Sequence, residues 1–247
     1  MSTNYWATFT LTFVLICSTP ALYAKEDIQL LTGVSLNNKY STFEYMGTEL
    51  SPDYTTVNIE VIGFYKKMYM KVNYDQSIKD DIQSVGNGDF FYFSREDAAL
   101  TWGYNVWGRL SVFTGLLAGK TEFPIITASG VDSFISELSY VGPFVGVSYG
   151  IPAGKGTLNV NFAFTSMQGK YSVSAFTSLL AETTGTTDGV SLGINWMRPI
   201  NEGLNFIVGY KVNRFEFTDE DLAIGGIDFS TVDQMNIISF GFLTYFD

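Results

Sequence analysis

A chain of 247 residues is long enough for one sizeable domain. Aromatic and charged residues each make up 16% of it, which excludes a disordered chain, where rings are scarce and charge is high, and suits a protein with a lipid-facing surface. The net charge of −11 argues against nucleic acid as a partner, because an acidic surface repels phosphate.

Residues 1–24, MSTNYWATFTLTFVLICSTPALYA, contain no charged side chain. An apolar run from Phe9 to Cys17 is followed by Pro20 and by Ala24, directly before Lys25 and Glu26. This pattern predicts a secretory signal peptide cleaved after Ala24, with Ala21 as the alternative, since the run is too short to span a membrane. The n-region departs from the usual pattern in having no Lys or Arg. Cys17, the one cysteine, lies inside this segment behind Ile16, which is not the small residue that a lipid-attachment signal requires. The mature chain, 25–247, then forms one domain without thiol or disulfide.

Beyond Ala24 no run is long enough for a membrane helix, and period-2 segments recur. In chain order, DIQLLTGVSL places Ile28, Leu30, Val34 and Leu36 on one face; TVNIEVIGF sets Val57, Ile59 and Val61 against Asn58 and Glu60; KMYMKVNY sets Met68, Met70, Val72 and Tyr74 against Lys67, Tyr69, Lys71 and Asn73. AALTWGYNV, GRLSVFTGLLAGK, GPFVGVSYG, GTLNVNFAFTS, GVSLGINW and GLNFIVGYKVN continue the alternation. The last segment, NIISFGFLTYFD, carries Ile238, Phe240, Phe242 and Phe246 on one face. Ten strands are predicted.

Their connections alternate in length. Short links fall near Tyr65 and Lys66, around Trp107 and Gly108, at 151–156 and at 198–203; long polar links are expected at 37–54, 75–95, 121–137, 169–186 and 216–232. An up-and-down meander with all short turns at one end is the layout of a transmembrane barrel with periplasmic turns and long extracellular loops. Alternation alone does not say which face points inward. The polar face does, because Gly and Asn dominate it where a soluble protein would place many Lys and Glu. A soluble periplasmic barrel around an apolar ligand is the rival reading.

The signal segment, the ten amphipathic strands, the sorted links and the aromatic last strand together resemble the Gram-negative outer-membrane β-barrel proteins. Stretches such as GRLSVFTGLLAGKTE and YVGPFVGVSYG are similar to the strands of small barrels without an assigned activity. Members of the class commonly end on an aromatic residue, whereas Asp247 follows Phe246 here. The resemblance implies export, passage through the barrel-assembly machinery, and contact with outer-membrane lipid and lipopolysaccharide. It implies no particular activity.

The mature chain has neither His nor Cys, so zinc sites and His-activated nucleophiles lose their usual groups. Omptin proteases, lipid A palmitoyltransferases and outer-membrane phospholipases resemble the chain in architecture, but their catalytic groups include a histidine. We therefore expect no catalysis, no cofactor and no metal. The best-defined polar group is a lumen ion pair of Glu60 with Lys71, placed directly opposite if Tyr65 and Lys66 form the turn, with Lys67 beside them. It reads either as a charged constriction or as a salt bridge filling a narrow lumen. Asp219, Glu220 and Asp221 form the densest acidic point of the expected loops, reading as a solvated loop or as a divalent-cation site bridging to lipopolysaccharide. Two functions follow: a structural or narrow small-solute and ion-passage barrel, or a surface-interaction barrel binding an external ligand through its loops. The aromatic run Phe90, Phe91, Tyr92 and Phe93 fits the second, unless it extends a strand.

Overall fold

The computed structural model describes residues 28–45, 48–79, 81–84, 90–126, 132–175, 178–224 and 227–246. The expected signal peptide and Asp247 lie outside them. Alternating side chains and solvated turns give an all-β chain: β1 (Ile28–Tyr45), β2 (Thr48–Leu50), β3 (Asp53–Tyr65), β4 (Met68–Lys79), β5 (Asp81–Ser84), β6 (Phe90–Trp107), β7 (Leu110–Ile126), β8 (Asp132–Ala153), β9 (Gly156–Ala175), β10 (Ser178–Pro199), β11 (Leu204–Ile224) and β12 (Ile227–Phe246). Ten of these form the wall; β2 and β5 are short ribbons on β1 and β6. Each wall strand pairs antiparallel with its neighbours, and β12 returns to β1, from Leu30 opposite Phe246 to Phe43 opposite Asp233. The sheet is closed, so the wall has no free edge.

Two-residue turns at Lys66–Lys67, Gly108–Arg109 and Gly154–Lys155 join three of the hairpins. The first residue of each has a positive φ: 54° at Lys66, 54° at Gly108 and 62° at Gly154. The first of these turns corrects the expected register. Tyr65 pairs with Met68, so Glu60 lies opposite Asn73 and Lys71 opposite Ile62. Two lysines occupy the solvated bend, and Tyr65 stays in the outer apolar row beside Met68, with the Lys66 ammonium 5.0 Å from the centre of its ring.

The segments expected as long loops are largely strand. Residues 169–186 belong to β9 and β10 apart from 176–177, and 216–232 belong to β11 and β12 apart from 225–226. At described outward positions there, Lys170, Glu182, Thr184, Thr186, Glu216 and Thr218 are polar and exposed, so the backbone ladder stays paired although the apolar signal has ended.

Side-chain polarity is inverted relative to a soluble barrel. Val34, Leu36, Phe240 and Phe242 are about half exposed on the outside, whereas Lys39, Arg95 and Thr56 are almost wholly buried inside. The outward apolar belt runs for roughly nine residues per strand, about 23 Å along the axis at a 40° tilt. It ends in a polar ring that includes Asn38, Gln76, Glu96, Lys120, Asp188 and Arg214.

Lys66 is the one described residue other than glycine at positive φ, a conformation that costs a side-chain-bearing residue about 1 kcal/mol. Lys66→Gly is expected to stabilise the barrel by up to that amount, read as a higher urea midpoint in detergent micelles.

Candidate functional site

Ten tilted strands leave a backbone radius of about 10 Å, so inward side chains from opposite walls meet. In β6, Arg95 and Asp97 are two apart and therefore share the inward face; in β1, Asn37, Lys39 and Ser41 do the same. The Lys39 ammonium sits 3.0 Å from Asp75 Oδ2 on β4 and 2.9 Å from Asp97 Oδ2. Arg95 donates from Nε to Asp97 Oδ2 at 2.9 Å and from Nη1 to Thr121 Oγ1 at 3.3 Å. Its Nη1 is also ion-paired with Asp233 of β12, and Nη2 donates to the Tyr140 hydroxyl of β8. Tyr140 in turn donates to Asp97 Oδ1 at 2.9 Å, and Ser41 donates to Asp233 Oδ1 at 2.7 Å. Asn37 Nδ2 donates to Asp75 Oδ2 at 3.0 Å.

This network spans the lumen. Arg95 reaches from β6 to β12, with three wall strands between them on the shorter way round. Gly119 makes room for it, because a Cβ there would lie 2.3 Å from Tyr140 Cζ and 2.6 Å from Asp97 Oδ1.

Apolar layers pack on the network. Tyr140, Met167, Phe215, Met235 and Ile237 form one cluster. A second, of Phe93, Phe123, Leu138, Tyr171 and Phe217, lies toward the end away from the two-residue turns. In it Phe123 and Tyr171 stack with ring centres 6.3 Å apart. Phe93 thus places part of the aromatic run inside the lumen, with β6 beginning at Phe90. Phe93, Phe123 and Phe217 are at most 1% exposed, as is Arg95, so this half of the lumen is filled.

Glu60 and Lys71 are brought together as an ion pair, reached diagonally across the β3–β4 ladder. Lys67 is not part of it, since it lies exposed in the turn. Asp219, Glu220 and Asp221 fall within β11 where its register with β12 becomes irregular; their side chains lie outside the described residues. Among the described residues, no group of three or more Asp, Glu, His or Cys is placed to hold a metal ion, and Asp75, Asp97 and Asp233 are each paired with a cation.

Sequence reasoning missed Lys39, Asp75, Arg95, Asp97 and Asp233. The signal was there: Lys39 and Arg95 keep the strand parity of the residues that follow or precede them, although they fell in stretches taken for loops. Lys211 is a further inward-facing cation. It faces inward from β11 with the parity of Asn213 and Phe215 and has no carboxylate within ion-pair distance among the described residues. Among the described residues the lumen then holds five cations, Lys39, Lys71, Arg95, Lys211 and, at its mouth, Arg109, and four carboxylates, Glu60, Asp75, Asp97 and Asp233.

Removing one partner of a buried pair leaves an uncompensated charge, at a cost of about 3–5 kcal/mol. Arg95→Met is therefore expected to lower stability by that order, and Arg95→Met with Asp233→Asn by less than the two single changes together. A double-mutant cycle of urea midpoints in micelles measures the coupling; strict additivity would show that the two side chains do not interact.

No protein-family model and no curated protein matches the sequence. Solved structures do. The chain is similar to the outer-membrane protease OmpT of Escherichia coli, with a TM-score of 0.56 and 10% identity over 92% of this chain and 99% of that one. It is also similar to the translocator domain of the autotransporter NalP of Neisseria meningitidis, with a TM-score of 0.52 and 10% identity over 96% and 95% of the two chains. At such identity the likeness concerns the fold alone, and that fold is the closed, antiparallel, up-and-down β-barrel of Gram-negative outer-membrane proteins.

Proposed function

We propose that the chain is an integral outer-membrane barrel that acts as a sealed structural scaffold, without catalysis and without steady passage of solutes. The observation that carries this reading is the filled half-lumen: Arg95 and Lys39 locked among three aspartates, with stacked rings against them. Burial in lipid is supported by the belt, whose height of about 23 Å is close to the apolar band of about 25 Å that outer-membrane barrels present. Trp107, Tyr65 and Tyr149 stand exposed near its turn end, where amphipathic rings suit a lipid interface. Contact with lipopolysaccharide at the polar ring and insertion by the assembly machinery belong to the same reading. OmpT is a protease, but the present chain has no histidine, so a His-dependent mechanism has no base to use.

A surface-interaction role is the second reading, favoured by the length of the strands beyond the belt. From Asp188 to Ser178, β10 projects for about ten residues, some 25 Å along the axis. A hairpin that long presents a large polar surface to an external ligand.

The mature chain reconstituted in a planar lipid bilayer is expected to be electrically silent, and to remain so with Glu60→Gln or Lys71→Met, which lie below the seal. Arg95→Ser combined with Asp233→Ser is expected to produce flickering conductance. Steady unitary conductance from the unaltered barrel would refute the sealed reading. In cells, the protein should stay in the membrane pellet after carbonate extraction; release into the supernatant would favour a soluble periplasmic barrel instead.

A further inference from the structure

The half of the lumen nearer the two-residue turns differs from the sealed half. Its wall is small and polar: Asn159, Asn161 and Asn195 share it with Gly193 and Gly209, and Asn159 Nδ2 donates to Asn195 Oδ1 at 3.2 Å. Lys211 projects into this space. Its stem passes beside Gly193, where a Cβ would lie 3.6 Å from Lys211 Cγ, an ordinary packing distance. Asp97, Lys39, Lys71 and Asp75 are all within its electrostatic reach, and although paired with Glu60, the Lys71 side chain remains one-third exposed. Nearer the mouth, a cavity of about 270 Å³ is lined by Asn105, Arg109, Ser111, Gly150, Pro152, Thr157 and Asn159. This half therefore carries three cations, Lys71, Arg109 and Lys211, and one carboxylate, Glu60, in a chain whose net charge is −11.

We propose that the turn-end half of the lumen is a binding cup for a small oxyanion, a solute bearing phosphate or carboxylate, with the Lys211 ammonium as its main charge and Lys71 as the second. No described carboxylate lies within ion-pair distance of Lys211, and Asp97 and Asp75 act on it only from further off, so the wall alone compensates this ammonium incompletely. An anion supplies the counter-charge, and the amide side chains around it supply neutral donors. A cation would be repelled, and a macromolecule does not fit a lumen of about 10 Å backbone radius. Because the far half is filled, the solute reaches and leaves the cup by the turn end, so the cup retains and does not transmit.

The test is calorimetric titration of the refolded full barrel in uncharged detergent at low ionic strength, with inorganic phosphate and, separately, succinate. Saturable binding of at least one probe is expected, weakened roughly tenfold or more by Lys211→Met, weakened less by Lys71→Met, tightened by Glu60→Gln, and unchanged by Lys120→Met on the outer face. Heat-modified gel mobility checks that each variant is folded; if Lys211→Met is not, Lys211→Gln carries the same comparison. No saturable binding of either probe, or equal binding by the folded Lys211 variant, overturns the cup. This inference rests on the seal, and the two fail separately: a conducting barrel that still binds through Lys211 would refute the seal alone, and a silent barrel that binds neither probe would refute the cup alone.

Discussion

Closure of ten strands into a ring sets a lumen too narrow to stay empty and too wide to be filled by one wall. Everything inside follows from that constraint. A side chain must cross the axis to meet a partner, and arginine suits this because its planar fork reaches several acceptors at once. Arg95 joins Asp97, Thr121, Tyr140 and Asp233, so that side chains from four strands converge on one group. Glycines opposite the large rings make the crossing sterically feasible, as Gly119 does for Tyr140 and as Gly169 does for Phe217.

The interior is divided by chemistry. Toward one end, three aspartates are held by two cations, Lys39 and Arg95, and apolar rings pack against them. Toward the other, amide and small side chains border a more open space, where Lys71, Arg109 and Lys211 outnumber Glu60. Lys211 links the halves, since it lies within electrostatic reach of Asp97 and Asp75 on one side and of Lys71 on the other. The same barrel therefore holds a tightly paired region and a more open one, where Lys211 has no ion-pair partner among the described residues.

The strand count, the meander and the outward apolar rows were legible in the sequence, because Val34, Leu36, Phe240 and Phe242 alternate cleanly against small or polar neighbours. The strand ends were not. Above the belt the outward positions change from residues such as Phe164 and Val190 to Ser166, Gln168 and Asp188, and with the apolar rows ended a hydrogen-bonded ladder reads like a loop. Lys39 and Arg95 were hidden for the same reason. Their inward parity was readable, whereas their partners were not, because Asp233 is brought to Arg95 only by closure of the ring. The Glu60–Lys71 contact was anticipated through a turn one residue too early, and long side chains reach each other across the diagonal that the actual register gives.

Closure also has a kinetic consequence. The seam joins β1 to β12, and Ser41 must meet Asp233 across 192 residues of chain. Contacts of such sequence separation form late, because most of the loop-closure entropy must be lost before any of them can form. Arg95 and Tyr54 find Asp233 and Met235 only at that same moment. Until the final strand docks, Asp233 is far from its cation and the inner rings lack one side of their packing. Sealing the wall and sealing the lumen are thus a single cooperative event, and an unclosed sheet cannot hold a finished interior.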